Sequence, residues 1–540
     1  MRRFVAAVLL LSAPLALHAQ VDAATARRVD SVFAKFNERS PGCAVAIKQN
    51  GSIAYEHGYG MANLDLGVPL SPATVMDVGS VSKQFTATAI MLLAIDGKLS
   101  LDDDARKYLP ELPDLGARVT VRHLLTHTSG WRDYNDMMVI DGWDTRDHTN
   151  DRDAWDSIKR LRALNFTPGS RFQYSNTGYF LLGQIVSRVS GKPFKDFARD
   201  RIFQPLGMDH TRFLDDTRTI VPNRATAYEP DGAGFVIDMS DWEQLGDGAV
   251  QTSVEDLAKW ESNFDKPVVG GAKLLEMLLA RGHLNDGKEI QYTAGLFRDS
   301  YRGVDRVQHG GAWAGYRASV TRYPSEHLAI LMTCNRGDAG TGMLSQKIAD
   351  IFLPAGSAER AAPVTTATAA GAVPKDLAGM YVSDADGVRI SFELRGESLA
   401  RRGAKQPLLP LAPGHFADTS AKAEWTFIDG KRVVLSSATG APDTLAMVAK
   451  VSSLTPAELA DYVGTYSGPE VSIDYQILLK DGALFARIFR GDDIALKPVF
   501  TDAFDSDALP LVRFVRDAGG RVVAMSFTTR GMRDVRLARK

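Results

Sequence analysis

Apolar positions between residues 22 and 355 switch between short strand-like runs and longer helical stretches. Cys43-Ala44-Val45-Ala46-Ile47-Lys48, the pair Asn50-Gly51 and Ile53-Ala54-Tyr55 predict a β-hairpin closed by an Asn-Gly turn. Ser82 to Ile95 is apolar and free of Gly and Pro, which predicts a helix stopped at Asp96-Gly97. Ser253, followed by Val254-Glu255-Asp256, reads as the N-cap of a helix running through Trp260. Ala318–Tyr323 and Leu328–Cys334 read as two late strands. Strands at both ends with helices between them predict an α/β domain: an antiparallel sheet flanked by helices, with a helical subdomain.

Residues 356–375 are rich in Ala, Thr and Pro without apolar periodicity and read as a linker. Beyond them the chain changes to short strands and turns, and it repeats. Gly379-Met380-Tyr381 matches Gly464-Thr465-Tyr466, and Leu409-Pro410 before Phe416 matches Lys497-Pro498 before Phe504. Trp425-Thr426-Phe427 likewise matches Val512-Arg513-Phe514. Two copies at near-constant offset predict two small all-β antiparallel, barrel-like domains, 376–453 and 454–540.

The 540 residues are too many for one core, and the net charge of −2 gives no reason to expect nucleic acid or an anionic surface as partner. Arg2-Arg3, the apolar run Phe4–Leu17 and the small residue Ala19 have the layout of a secretory signal peptide over 1–19, so the mature protein is expected to be periplasmic or secreted. No other stretch is long enough for an integral membrane anchor. The two cysteines, Cys43 and Cys334, are too few and too isolated for a metal site. Both lie in apolar runs and read as buried free thiols, with a single bridge as the alternative.

Candidate chemistry centres on Ser80 and Lys83, the one S-x-x-K in the chain, placed where the apolar helix begins. Three residues apart is one helical turn, so both side chains share a face. A serine hydroxyl needs a base, and a lysine can serve if burial or the positive helix N-terminus favours its neutral form. Tyr174-Ser175-Asn176 adds a phenol that could pass a proton and an amide that could bind a substrate amide. In His309-Gly310-Gly311-Ala312 the two glycines would let a substrate backbone approach, and the Ala312 N–H could join that of Ser80 as an oxyanion hole. Taken singly, the second and third motifs carry little weight.

Their order and surroundings resemble the serine penicillin-recognising enzymes: class C β-lactamases, DD-peptidases, family VIII esterases and D-aminopeptidases. The resemblance covers about 25–355. It includes Arg122-His123-Leu124-Leu125-Thr126-His127-Thr128-Ser129-Gly130 and Pro205-Leu206-Gly207-Met208, which makes His123 and His127 structural. It implies that Ser80 is an acylated nucleophile, that Lys83 and Tyr174 share the proton transfers, that Asn176 binds the substrate amide, and that His309 supports Tyr174 and the substrate. It implies no metal or organic cofactor. The family's K-T-G is replaced by H-G-G, which removes a permanent cation and disfavours β-lactams. The tail resembles the D-aminopeptidase layout. The expected substrates are peptides or amides containing D-amino acids, with small esters second, a class C-like β-lactamase third and a non-catalytic envelope-peptide binder last. In the D-aminopeptidases a loop of the last barrel narrows the active-site mouth; here the acidic Thr501–Asp507 is a candidate. Nothing in the sequence specifies an oligomeric state.

Overall fold

The computed structural model describes residues 21–540 apart from 145, 355–372, 384–386, 405, 419–422, 438–442, 489–490 and 492. The expected signal peptide and most of the expected linker lie outside the described residues.

Six antiparallel strands form the sheet of the first domain: β1 (Cys43–Gln49), β2 (Ser52–Tyr59), β3 (Phe297–Tyr301), β4 (Val304–Trp313), β5 (Tyr316–Tyr323) and β6 (Leu328–Cys334). Their order is β3-β4-β5-β6-β1-β2, so the first hairpin of the chain completes a sheet begun by its late strands. The Asn50-Gly51 turn forms as expected, with φ of 51° and 83°. Alternation along β1 sends Cys43, Val45 and Ile47 to one face and Ala44 and Ala46 to the other. The first face packs on α1 (Ala23–Val32) and the late helix 341–352; the second faces the buried helices.

Register corrects the reading of the cysteines. Cys43 lies directly opposite Cys334 across β1 and β6, and the two form a disulfide rather than free thiols. They are 291 residues apart in sequence, so only strand pairing reveals that they are neighbours.

α2 (Lys83–Ile95) follows a 3₁₀ turn over Gly79–Ser82, and every residue from Lys83 to Leu93 is buried. An all-round apolar helix belongs inside a domain, and each buried Phe, Ile or Leu contributes about 1.5–3 kcal/mol. α3 (Tyr134–Ile140), α4 (Asn176–Ser190) and their neighbours build the helical subdomain around it; α5 (Val254–Asp265) is capped by the Ser253 hydroxyl, as its sequence predicts.

The tail holds two eight-stranded antiparallel units. Strands between Gly379 and Val448 form an open, half-barrel sheet, and strands between Gly464 and Arg539 close into a barrel. The repeat is structural. Tyr381 and Tyr466 each stand third in the first strand and donate to the carbonyl four residues back, at 3.1 and 2.7 Å. Pro410 and Pro498 each precede a register shift and pair with Phe416 and Phe504. The half-barrel has its own core, whereas the apolar cluster of the closed barrel runs on into that of the first domain.

That contact corrects the expectation for Thr501–Asp507. Asp502 pairs with Arg516, Asp505 with Arg389 of the half-barrel and Asp507 with Lys497. Its carboxylates are engaged within the tail. The segments that reach the first domain include Glu470–Tyr475 and Thr529–Arg533. The Gly531 carbonyl accepts from the Asp133 N–H (2.8 Å) and from Asn165 Nδ2 (2.9 Å), and Thr529 Oγ1 donates to Asp136. Arg132 forms a buried ion pair with Glu470.

Candidate active site

Ser80 lies on the 3₁₀ turn before α2, and Lys83 opens the helix. Lys83 Nζ donates to Asn176 Oδ1 (2.8 Å) and to the Asp247 carbonyl (2.7 Å), and lies 3.1 Å from Ser80 Oγ. Two acceptors hold two of its N–H bonds, so the third tetrahedral position points at the serine. In the neutral amine that position is a lone pair. Complete burial pushes the Lys83 pKa down, while the carboxylates of Asp247 and Asp133 pull it up.

Lys83 Nζ also lies 4.9 Å from the centroid of the Tyr174 ring. The Tyr174 hydroxyl is buried beside Ser80 and makes no hydrogen bond of good geometry. Burial drives this phenol far above its ordinary pKa, and the Ser80 hydroxyl pulls only partly the other way. Tyr174 is backed by His127, whose ring centroid is 4.1 Å away and whose Nδ1 accepts from the Ser175 N–H at 3.1 Å. Burial lowers the His127 pKa well below the usual imidazole range, so it is a neutral packing group, as its sequence context implies.

Asn176 faces Lys83 with its side-chain oxygen, and its backbone N–H donates to the buried Asp133 carboxylate at the start of α3. Asp133 also caps Asn135 (3.0 Å).

β4 brings the third motif alongside. A Cβ on Gly311 would stand 1.9 Å from the Val78 carbonyl oxygen and 3.3 Å from Ser80 N; one on Gly79 would stand 2.7 Å from Ala312 N. The second glycine therefore admits the protein's own backbone rather than a substrate, and the Ser80 and Ala312 N–H groups are brought close together. Gly310 is exposed on the same strand. His309 is buried behind Tyr174, with centroids 6.1 Å apart; its Nδ1 faces the Gly310 carbonyl (2.6 Å) and its Nε2 the Tyr292 hydroxyl (3.2 Å). Burial lowers its pKa to about 4, so it is uncharged at neutral pH.

A pocket of about 150 Å³ opens at Ser80, Asn176 and Ala312 and is walled by Trp242, Trp313 and Asp247. The last three, with Asp133 and Asn135, were not singled out by the sequence. Asp247 stands in Gly246-Asp247-Gly248, which reads as an ordinary turn. Among the described residues no group of three or more His, Cys, Asp or Glu could hold a metal ion, and no helix is long and apolar enough to cross a membrane.

The Beta-lactamase family model matches residues 29–353, the whole sheet and helical region that build this site. The chain belongs to the Beta-lactamase family. It is 27% identical over 508 residues to a D-aminopeptidase of Brucella anthropi, covering 90% of this chain and 93% of that one, so the similarity includes the tail. The octameric penicillin-binding protein homologue from Pyrococcus abyssi superposes with a TM-score of 0.54 at 25% identity, over 78% of this chain and 99% of that one. The D-amino acid amidase from Ochrobactrum anthropi shares the fold, with a TM-score of 0.50 at 22% identity over 61% of this chain and 98% of that one. Family and fold together make this member of the Beta-lactamase family a serine hydrolase.

Proposed function

We propose that this hydrolase cleaves amide bonds of peptides or amides containing D-amino acids through an acyl-enzyme on Ser80. The observation that carries the reading is the buried Lys83, aimed at Ser80 Oγ by two fixed acceptors. The D-aminopeptidase relatives, similar over both the site and the tail, support the substrate class. Ser80 Oγ attacks the carbonyl carbon as its proton passes to neutral Lys83. The oxyanion is met by the N–H groups of Ser80 and Ala312. Tyr174, whose raised pKa keeps it a phenol, relays the proton to the leaving amine as the C–N bond breaks. Water then cleaves the ester with the proton transfers reversed. Asn176 holds Lys83 through Oδ1 and is anchored on the Asp133 carboxylate, which fixes its amide at the pocket where it would bind the substrate amide. His309 acts at one remove, by packing behind Tyr174.

No lysine or arginine is among the described residues that line the pocket, which disfavours a β-lactam or peptide carboxylate there. We also propose that the protein is exported, which points to envelope peptides or exogenous substrates. The N-terminal segment has a signal-peptide layout, and the Cys43–Cys334 disulfide suits an oxidising compartment.

The test is a panel of D- and L-aminoacyl amides, a D-Ala-D-Ala peptide, a p-nitrophenyl ester and nitrocefin. The D-aminoacyl amide is expected to give the highest kcat/KM. Hydrolysis confined to the ester would favour the esterase reading, and nitrocefin as best substrate would overturn the argument from charge.

Lys83→Ala and Tyr174→Phe are each expected to lower kcat by about 10²–10⁴. The double variant should be little worse than the poorer single, because the two act as one unit. Wild-type kcat/KM should rise with pH as Lys83 loses its proton, along a limb centred below the ordinary lysine value of about 10.4. Fully additive losses, or no such limb, would separate the two residues.

A further inference from the structure

Two carboxylates line the pocket at Ser80, and they differ. Asp77 accepts from the Gly79 N–H and from Gln251 Nε2, both at 2.7 Å, so its charge is held by the protein. Asp247 is 8% exposed; its two oxygens share the Tyr134 hydroxyl at 3.1 and 3.3 Å, and its own backbone N–H is the other donor to them. Lys83 binds its backbone carbonyl, not its carboxylate. A carboxylate offers about four acceptor positions, and burying one with so few donors is costly unless another partner arrives. A second acceptor in the same wall is also idle: Asn135 Oδ1 is buried without a hydrogen bond. The pocket lining also includes two indoles. The Trp242 and Trp313 rings lie 5.4 Å apart at 58°, and Trp242 Nε1 is tied to the Asp144 carbonyl at 2.9 Å, which fixes the indole. Indole faces attract cations.

We infer that Asp247, with Asn135 Oδ1 and the Trp242 and Trp313 rings, is the subsite that reads a cationic amine on the acyl portion of the substrate. An ammonium there would supply the donors that Asp247 and Asn135 lack. An α-amino group lies one carbon from the carbonyl that Ser80 attacks, and one pocket holds both. This deepens the proposed function and rests on it only in taking the pocket as the acyl site.

The test is binding, measured on full-length Ser80→Ala so that no turnover interferes. Calorimetry or competition NMR compares D-alaninamide with isobutyramide, in which a methyl replaces the ammonium. D-Alaninamide is expected to bind tighter by about tenfold or more, the scale of one charge-assisted hydrogen bond. Asp247→Asn in the same background should abolish the difference, and Trp313→Leu should narrow it. Equal affinities, no binding of D-alaninamide, or a preference untouched by Asp247→Asn would overturn the inference. If Asp247→Asn fails to fold, the ligand pair on Ser80→Ala and the Trp313→Leu comparison still decide it. If the wild type does not hydrolyse D-aminoacyl amides, the proposed function fails while the binding preference stands or falls by itself.

Discussion

Ser80→Ala is expected to abolish hydrolysis and leave the protein folded. Ser80 is half-buried on the 3₁₀ turn, and its hydroxyl engages only groups of the site, so losing one oxygen leaves the surrounding core intact. Lys83 keeps two of its three contacts, to Asn176 and the Asp247 carbonyl. Catalysis has no substitute nucleophile within that geometry: Tyr174 is held as a phenol and Lys83 is tied down by its acceptors. Activity should fall by about 10⁴-fold or more, leaving what binding and the oxyanion groups supply alone. Intact-mass analysis with a slow acylating inhibitor should show one adduct on the wild type and none on the variant. Labelling of Ser80→Ala, with an unchanged melting temperature, would move the nucleophile elsewhere.

What could be seen in the sequence was what neighbouring residues decide. Ser80 and Lys83 share a face because three residues make a helical turn, and an apolar run with no Gly or Pro marks the helix that buries them. Asn50-Gly51 specifies its own turn. The tail repeat was visible because Pro410 and Pro498, and Tyr381 and Tyr466, do the same local work in each copy. What escaped depends on distant pairing. The Cys43–Cys334 bond needs the register of β1 on β6. Asp133 and Asp247 matter because folding buries them around Lys83, while each lies in a segment that reads as a loop. Charge misled the reading of the tail. Thr501–Asp507 drew attention by its three aspartates, which arginines and a lysine of the tail neutralise, whereas the unremarkable Thr529-Arg530-Gly531 bonds to the segments around Asp133 and Tyr174.

That contact leads to the prediction for the tail. A loop that narrows the mouth would make the tail a gate, but the hydrogen bonds indicate a brace. Gly531 holds the backbone of Asp133, Asp133 holds the N–H of Asn176, and Asn176 holds Lys83 against Ser80. Gln173, next to Tyr174, donates to the Arg530 carbonyl. The brace is tight: a Cβ on Gly531 would stand 2.4 Å from Asp136 Oδ2 and 2.6 Å from Asp133 Cβ. Gly531→Val must therefore push the start of α3 away from the barrel and displace Asn176. A shift of about 1 Å in such a chain can cost about 10²-fold in rate, and that is the expected fall in kcat/KM for full-length Gly531→Val. Most of it should lie in kcat, because Lys83 is what loses its aim. Arg132→Ala should act on stability instead, by about 3–5 kcal/mol, since it leaves Glu470 buried without its cation. The measurements are steady-state kinetics beside thermal melts. A well-folded Gly531→Val with wild-type kcat would mean that the closed barrel rides on the catalytic domain without holding its active site in place.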